Sequence, residues 1–265
     1  MKRLVFASGF VATASIASLA ADLPGSAPVL APAPLIIQSH AVNGFYFSAS
    51  AGFNWLDKSS GNAVLGPSSG GGFLGAVQPF RVVPETGFVV IGSIGWGFGN
   101  GLRVEAELSH RNNDVKSFQI NGSTSNPHFG SVSTTGAMVI ALYDIGATMG
   151  WPVHITVGGG IGYAWHDWNG VGGVVAGTTN RISDTAGSFA YQLISGLSFP
   201  IRAVPGLALT ADYRYFATPN TSKFAGSYVF GGGTGSETVR VRSVNQSVLV
   251  GVRYNLNPPP ATVLA

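Results

Sequence analysis

Apolar residues recur at every second position in eight stretches between Asn43 and Leu256, and no stretch becomes an apolar run long enough for a membrane-spanning helix. Side chains alternate across a strand, so period two marks β-structure with two unlike faces. The first stretch, Phe45 to Trp55, sets Phe45, Phe47, Ala49, Ala51, Phe53 and Trp55 against Tyr46, Ser48, Ser50, Gly52 and Asn54. The third, about 102–111, is the clearest: Leu102, Val104, Ala106 and Leu108 oppose Arg103, Glu105, Glu107 and Ser109. Six more lie near 87–98, 136–147, 153–165, 188–199, 207–216 and 244–256. The stretch at 136–147 is apolar on both faces and takes its register from Asp144 pointing inward. A helical membrane protein needs runs of about 20 apolar residues, and none occurs after residue 20.

Composition removes two other classes. Charged residues make up 9% of the 265, against about 25% in soluble domains. Five Trp, 8 Tyr and 16 Phe are too many for a solvated coil. No cysteine is present, so no disulfide framework holds the fold.

The N-terminus reads as an export signal over 1–20. Lys2-Arg3 precedes a mostly apolar stretch from Leu4 to Leu19, and Ser18-Leu19-Ala20 places cleavage after Ala20. Removing Lys2 and Arg3 from 14 basic residues leaves 12 against 11 acidic ones, a net charge of +1. No basic patch suggests nucleic acid as a partner. Residues 21–42, with Pro24, Pro28, Pro32 and Pro34, form a Pro/Ala-rich lead segment. The strand region spans 43–256, and a Pro-rich tail covers 257–265.

Connections between strands sort by length. Gly99-Asn100-Gly101, Thr148 to Pro152 and Pro200 to Gly206 are short turns. The connections near 56–86, 112–135, 166–187 and 217–243 are long and rich in Gly, Ser, Thr and Asn. Short turns alternating with long external loops are the pattern of bacterial outer-membrane barrels. Aromatic residues then fall at two rims. Phe45, Trp96, Phe98, Trp151, Phe199 and Tyr254 lie on the periplasmic side; Trp55, Phe88, Tyr163, Trp165, Phe189, Tyr213 and Tyr215 lie on the outer side. Such girdles match the headgroup preference of aromatic rings. The expected fold is all-β: a transmembrane, eight-stranded, antiparallel up-and-down β-barrel with short periplasmic turns and long external loops, in the outer membrane.

An eight-stranded barrel is narrow enough for side chains to fill it. Arg103, Glu105, Glu107, Asp144, Asp212, Arg214 and Arg253 fall on the inward face and are expected to pair as a lumen charge network.

Asn43-Gly-Phe-Tyr-Phe, the run from Gly99 to Asn112, Tyr143-Asp144 and Ser247-Val-Leu-Val-Gly-Val-Arg-Tyr resemble the opacity-protein or OmpA-like eight-stranded outer-membrane proteins of Gram-negative bacteria. Ala21-Asp22-Leu23-Pro24 is similar to the mature start of alphaproteobacterial members. The resemblance covers about residues 43–256. It implies a structural outer-membrane protein, surface antigen or adhesin, without shared catalytic residues.

Other chemistry reads weakly. Glu105 and Glu107 share a face with arginines, so ion pairing explains them better than acid–base catalysis. His110 faces outward near the upper rim without a Ser and acidic partner, and reads as an interfacial histidine. His40, His110, His128, His154 and His166 lack metal-ligand spacing, with His166-Asp167 in an external loop the weak exception. Gly158 to Gly162 precedes no helix and is not a nucleotide loop; its inward glycines suit tight packing against the charged ladder. No enzyme activity, cofactor or metal is expected. Phe73, Leu74, Phe80 and Arg81 in the first external loop, and Phe224, Tyr228, Phe230, Arg240 and Arg242 in the last, form candidate contact surfaces. The expected function is a structural, surface-exposed barrel that binds an unidentified external ligand through its loops. The alternative is a small porin passing ions or small solutes. Expected partners are outer-membrane lipids and lipopolysaccharide, with the protein acting as a monomer.

Overall fold

The computed structural model describes residues 40–69 and 75–258. The signal segment 1–20, most of the lead segment 21–42, Phe73, Leu74 and most of the tail 257–265 lie outside the described residues.

Among the described residues, eleven β-strands form one antiparallel sheet. They are β1 (Asn43–Leu56), β2 (Ser59–Ser68), β3 (Val77–Pro84), β4 (Gly87–Phe98), β5 (Leu102–Ile120), β6 (Ser123–Thr124), β7 (His128–Ile145), β8 (His154–Val175), β9 (Thr178–Pro200), β10 (Leu207–Phe230) and β11 (Gly233–Asn255). Around the lower barrel, β1 pairs with β4, β4 with β5, β5 with β7, and so on through β8, β9 and β10 to β11. The ring closes where β11 pairs with β1, from Tyr46↔Asn255 to Leu56↔Asn245. Eight strands thus satisfy one another's backbone groups and leave no edge, which a strand structure in hydrocarbon requires.

The long connections are largely strand. β5 and β7 to β11 run 18 to 24 residues each, about twice what crossing a bilayer needs. Where β1 and β4 end, the hairpin of β2 and β3 takes their place. β2 pairs with β11 and β3 with β5, so the wall continues upward with eight strands. The Gly, Ser, Thr and Asn content that reads as loop thus belongs to a rigid extension of the barrel.

The two halves are inside out with respect to each other. In β11, odd residues point inward along its whole length. Near the lower end the outward residues are Val248, Val250 and Val252, exposed, while Ser247 and Arg253 are buried. Farther up, Val239 and Val241 are buried while Arg240 and Arg242 are exposed. The parity is constant and the apolar face switches sides. The lower half is apolar outside, as a wall meeting lipid must be; the upper half packs apolar side chains inward, as a barrel standing in water must. Its core includes Phe80, Phe118, Trp168, Ile182, Phe224 and Val239. Trp168 and Phe224 stack with ring centroids 5.0 Å apart.

Candidate functional site

The lower lumen is the polar centre of the molecule. β5 supplies alternate inward residues Arg103, Glu105, Glu107, Ser109 and Arg111, all at most 4% exposed. Arg103 binds Asp144 on β7 through Nε to Oδ2 at 2.8 Å and Nη2 to Oδ1 at 3.0 Å. Its Nη1 also donates to Glu105 at 2.8 Å and to the Tyr46 hydroxyl at 2.9 Å, and that hydroxyl donates to Glu105 at 2.7 Å. Arg253 on β11 reaches Asp144 at 3.3 Å and Ser198 at 3.0 Å. Thr156 on β8 donates to Asp144 at 2.7 Å. Asp144 therefore gathers donors from three elements: Arg103 of β5, Thr156 of β8 and Arg253 of β11.

A second tier lies above. Arg214 on β10 pairs with Glu107 and, at 3.4 Å, with Asp212. Gln192 on β9 donates to Glu107 at 3.2 Å and accepts from Arg111 Nη2 at 3.1 Å. Arg111 Nη1 donates to Ser109 at 2.8 Å, and its guanidinium carbon lies 4.2 Å from the Phe216 ring centroid. Higher still, Asn54 donates to Asn113 at 2.6 Å and to Asn245 at 2.8 Å, and accepts from Ser247 at 2.8 Å. This neutral amide cluster separates the charges from the apolar extension. Between the tiers, the space bounded by Arg103, Thr156, Asp212, Arg214 and Arg253 is about 20 Å³, room for roughly one water.

All seven lumen residues expected from the sequence face this interior: six are buried, and Asp212 is half-buried. Two further contributors escaped sequence reading. Arg111 is the last residue of the expected strand and continues the inward parity of Arg103 to Ser109, but was not counted with them, and Tyr46 sat on a face read as mostly small or polar. With Arg111 the lower lumen holds four arginines (103, 111, 214, 253) against four carboxylates (105, 107, 144, 212). Opposite the charges, Met138, Ile140 and Leu142 on β7 pack with Ala164, Ala190, Ile194 and Phe216. The stretch at 136–147 is apolar on both faces because one meets this inner cluster and the other lies on the outer wall. Gly158, Gly160 and Gly162 back onto Leu142, Ile140 and Met138. These glycines pack against apolar side chains rather than the charged ladder.

The belt residues project outward. At one rim Phe45, Trp96, Phe98, Trp151, Phe199 and Tyr254 are exposed; at the other Trp55, Phe88, Tyr163, Trp165, Phe189 and Tyr213 are exposed and Tyr215 is half-buried. Phe45 meets Trp96 edge to face at 4.7 Å, and Tyr163 meets Trp165 at 5.1 Å.

Several expected contact residues are placed elsewhere. Phe80, Phe224 and Tyr228 are buried in the extension, because strand pairing turns them inward; Phe230, Arg81, Arg240 and Arg242 remain exposed. His166 and Asp167 are consecutive strand residues in β8, so they face opposite sides: His166 is buried on Thr134 at 2.9 Å, and Asp167 is exposed. They do not form a joint ligand pair. His110 meets Thr135 at 3.0 Å on the outer wall. Among the described residues no three His, Cys, Asp or Glu side chains cluster as metal ligands.

A closed eight-stranded barrel with an apolar outer wall, two aromatic belts and a charge-filled lumen is an outer-membrane β-barrel. The chain is 31% identical over 251 residues to an outer membrane protein of Gluconacetobacter diazotrophicus, covering 92% of this chain and 64% of that relative. It thus spans 64% of the relative's length. Its fold is shared with the crystal structure of the outer membrane protein OprG from Pseudomonas aeruginosa, at a TM-score of 0.52 and 12% identity, over 83% of this chain and 99% of that one. Neisserial surface protein A aligns at a TM-score of 0.43 and 19% identity, over 81% and 99% of the two chains. No family model matches the chain. The protein belongs to the outer membrane.

Proposed function

We propose that the protein is a structural, non-conducting barrel that carries a stiff extension above the membrane and presents ligand-binding surfaces there. The observation behind this reading is the double closure of the lumen. Two tiers of paired charges fill the lower barrel, and a packed apolar core fills the upper one. An ion entering from outside would have to cross the apolar core and then break ion pairs that hold one another in place, each step costing several kcal/mol. A pore has no use for a dry core above its constriction.

Planar-bilayer recording on the refolded full chain tests this. The expected trace is a flat baseline at moderate voltage. Stable, unitary openings would replace this reading with that of a small porin passing ions or small solutes.

A further inference from the structure

The extension ends in a cup. Above the apolar core, a space of about 200 Å³ lies among the ends of the strands. Leu65 of β2, Ile120 of β5, Val175 of β8 and Tyr228 of β10 form its apolar wall, and Gln78 of β3 and Asn180 of β9 add two amides. Among the described residues, no Lys, Arg, Asp or Glu lines it.

Its rim is built of tight turns. Asn121-Gly122 joins β5 to β6, Ala176-Gly177 joins β8 to β9, and Gly231-Gly232 joins β10 to β11. Both residues of each pair have positive φ, as in the two-residue turns that fit the twist of paired strands. Asn121 and Ala176 themselves border the space. Such a rim is set before any ligand arrives, so little ordering entropy opposes binding.

The cup holds more hydrogen-bonding capacity than the chain uses. Asn180 is 2% exposed, and its side chain has no hydrogen-bond partner among the described residues. Behind the lining, Ser125 Oγ and one oxygen of Glu237 are buried without partners. Ser125 abuts Gly173, the pairing partner of Asn180, and Glu237 pairs with Leu65. Buried polar groups are ordinarily satisfied, so their concentration around one cavity points to a bound molecule that completes part of the set.

Size and wall chemistry narrow what that molecule is. Sites for drug-sized ligands measure about 300–1,000 Å³, so this one admits a single ring. With no charge in the lining, neither an anion nor a cation finds a counter-ion there. A wholly apolar ring would leave both amides desolvated and unpaired, which weakens binding. A ring with an apolar C–H face and a girdle of hydroxyls meets both needs: the face can lie on Tyr228 and Leu65 while hydroxyls pair with Gln78 and Asn180.

We propose that this cup binds one neutral pyranose ring, as a free sugar or as the end of a glycan. The proposal rests on the reading that the extension binds ligands, and it names their class.

The test titrates the refolded full chain in phosphatidylcholine vesicles with the methyl pyranosides of glucose, galactose, mannose and N-acetylglucosamine, read by saturation-transfer NMR. Cyclohexanol serves as the apolar ring, and glucuronate and glucosamine as charged ones. At least one methyl pyranoside is expected to bind about tenfold or more tightly than cyclohexanol and the charged sugars, because only it pairs both amides without stranding a charge. Asn180→Leu is expected to turn the preference toward cyclohexanol, while Lys223→Gln, exposed on the outer wall, leaves it intact. A matching disaccharide that binds as tightly assigns the ligand to a glycan end; one that is excluded assigns it to a free sugar. Cyclohexanol binding as well as every pyranoside would make the cup an apolar-solute site and overturn the proposal. Binding of no pyranoside would also overturn it, as would an unchanged preference in Asn180→Leu. The comparison of probes on the wild-type chain decides the matter even if that variant fails to refold. A flat conductance baseline without pyranoside binding sinks this inference alone, whereas unitary openings sink only the sealed barrel.

Discussion

Arg103 of β5 holds Asp144 of β7 in a two-pronged grip, Nε and Nη2 each donating to a different carboxylate oxygen. The pair lies at the centre of the lower tier, since Asp144 also accepts from Arg253 and Thr156. Burying it stabilises little by itself, because desolvation offsets most of the attraction; breaking it leaves uncompensated buried cations. Asp144→Asn is therefore expected to cost about 3–5 kcal/mol and to lower the temperature at which the folded gel band disappears. Replacing both partners, Arg103→Met with Asp144→Leu, should be milder than Asp144→Asn. A double variant as damaged as the single one would show that Glu105 without its arginine and Arg253 without its carboxylate cost as much as the stranded Arg103.

The apolar core of the extension should fail separately from the lower barrel. Phe224 is 1% exposed and stacked on Trp168. Phe224→Ala removes a large buried ring, a loss of about 3–5 kcal/mol. Limited proteolysis of vesicle-embedded protein should then cut within 217–243 and spare the fragments between the belts. Uniform degradation through the whole chain would mean that the two halves unfold as one unit.

Glu237 gives the extension a pH dependence. It is 3% exposed on the inward face of β11, and one carboxylate oxygen has no hydrogen-bond partner. Burial raises its carboxyl from 4.5 to about 7. The folded state thus holds the proton more tightly than the unfolded chain does. Stability from this group is complete below pH 4.5 and falls as pH rises from there to about 7, by roughly 3 kcal/mol in all. Hydrogen exchange in β10 and β11 should accelerate between pH 5 and pH 8 beyond the rise in the intrinsic base-catalysed rate, with Glu237→Gln largely abolishing this excess. An equal acceleration in that variant would place the titration elsewhere.

How much of this was readable from the sequence differs by region. Faces of the membrane strands were legible because lipid on one side and charge on the other enforce strict alternation, as in Arg103 to Ser109. Arg111 kept the same parity but was followed by Asn112-Asn113-Asp114, which reads as a turn in isolation and as strand once β4 and β7 flank it. Pairing across neighbours overrides the weak strand preference of such residues. The extension was hidden for a related reason. Its outward residues are small and polar because they face water, so composition imitated a loop, although Val239 and Val241 alternated with Arg240 and Arg242 throughout. Burial of Phe224 and Tyr228 followed from partners on neighbouring strands, Val239 for Phe224 and Asn180 of β9 together with Gly235 for Tyr228, and Asn180 lies far outside any local pattern.

Two glycines of the barrel wall make a paired test of how tightly the lumen is filled. Gly160 is an inward residue of β8, and a Cβ there would stand 2.6 Å from Ile140 Cγ1 and 2.6 Å from the Val139 carbonyl oxygen. The carbonyl belongs to the β7 backbone and is fixed by strand pairing. Gly92 is an exposed residue of β4, and a Cβ there would have nothing within 4 Å. Neither has positive φ, so conformational strain does not separate them. Gly160→Ala should cost about 1–3 kcal/mol through overpacking and lower the yield of folded, heat-modifiable protein. Gly92→Ala should leave both yield and midpoint within error. If Gly160→Ala refolds as well as Gly92→Ala, β7 and β8 have slack between them, and the lumen is looser than two closed tiers require.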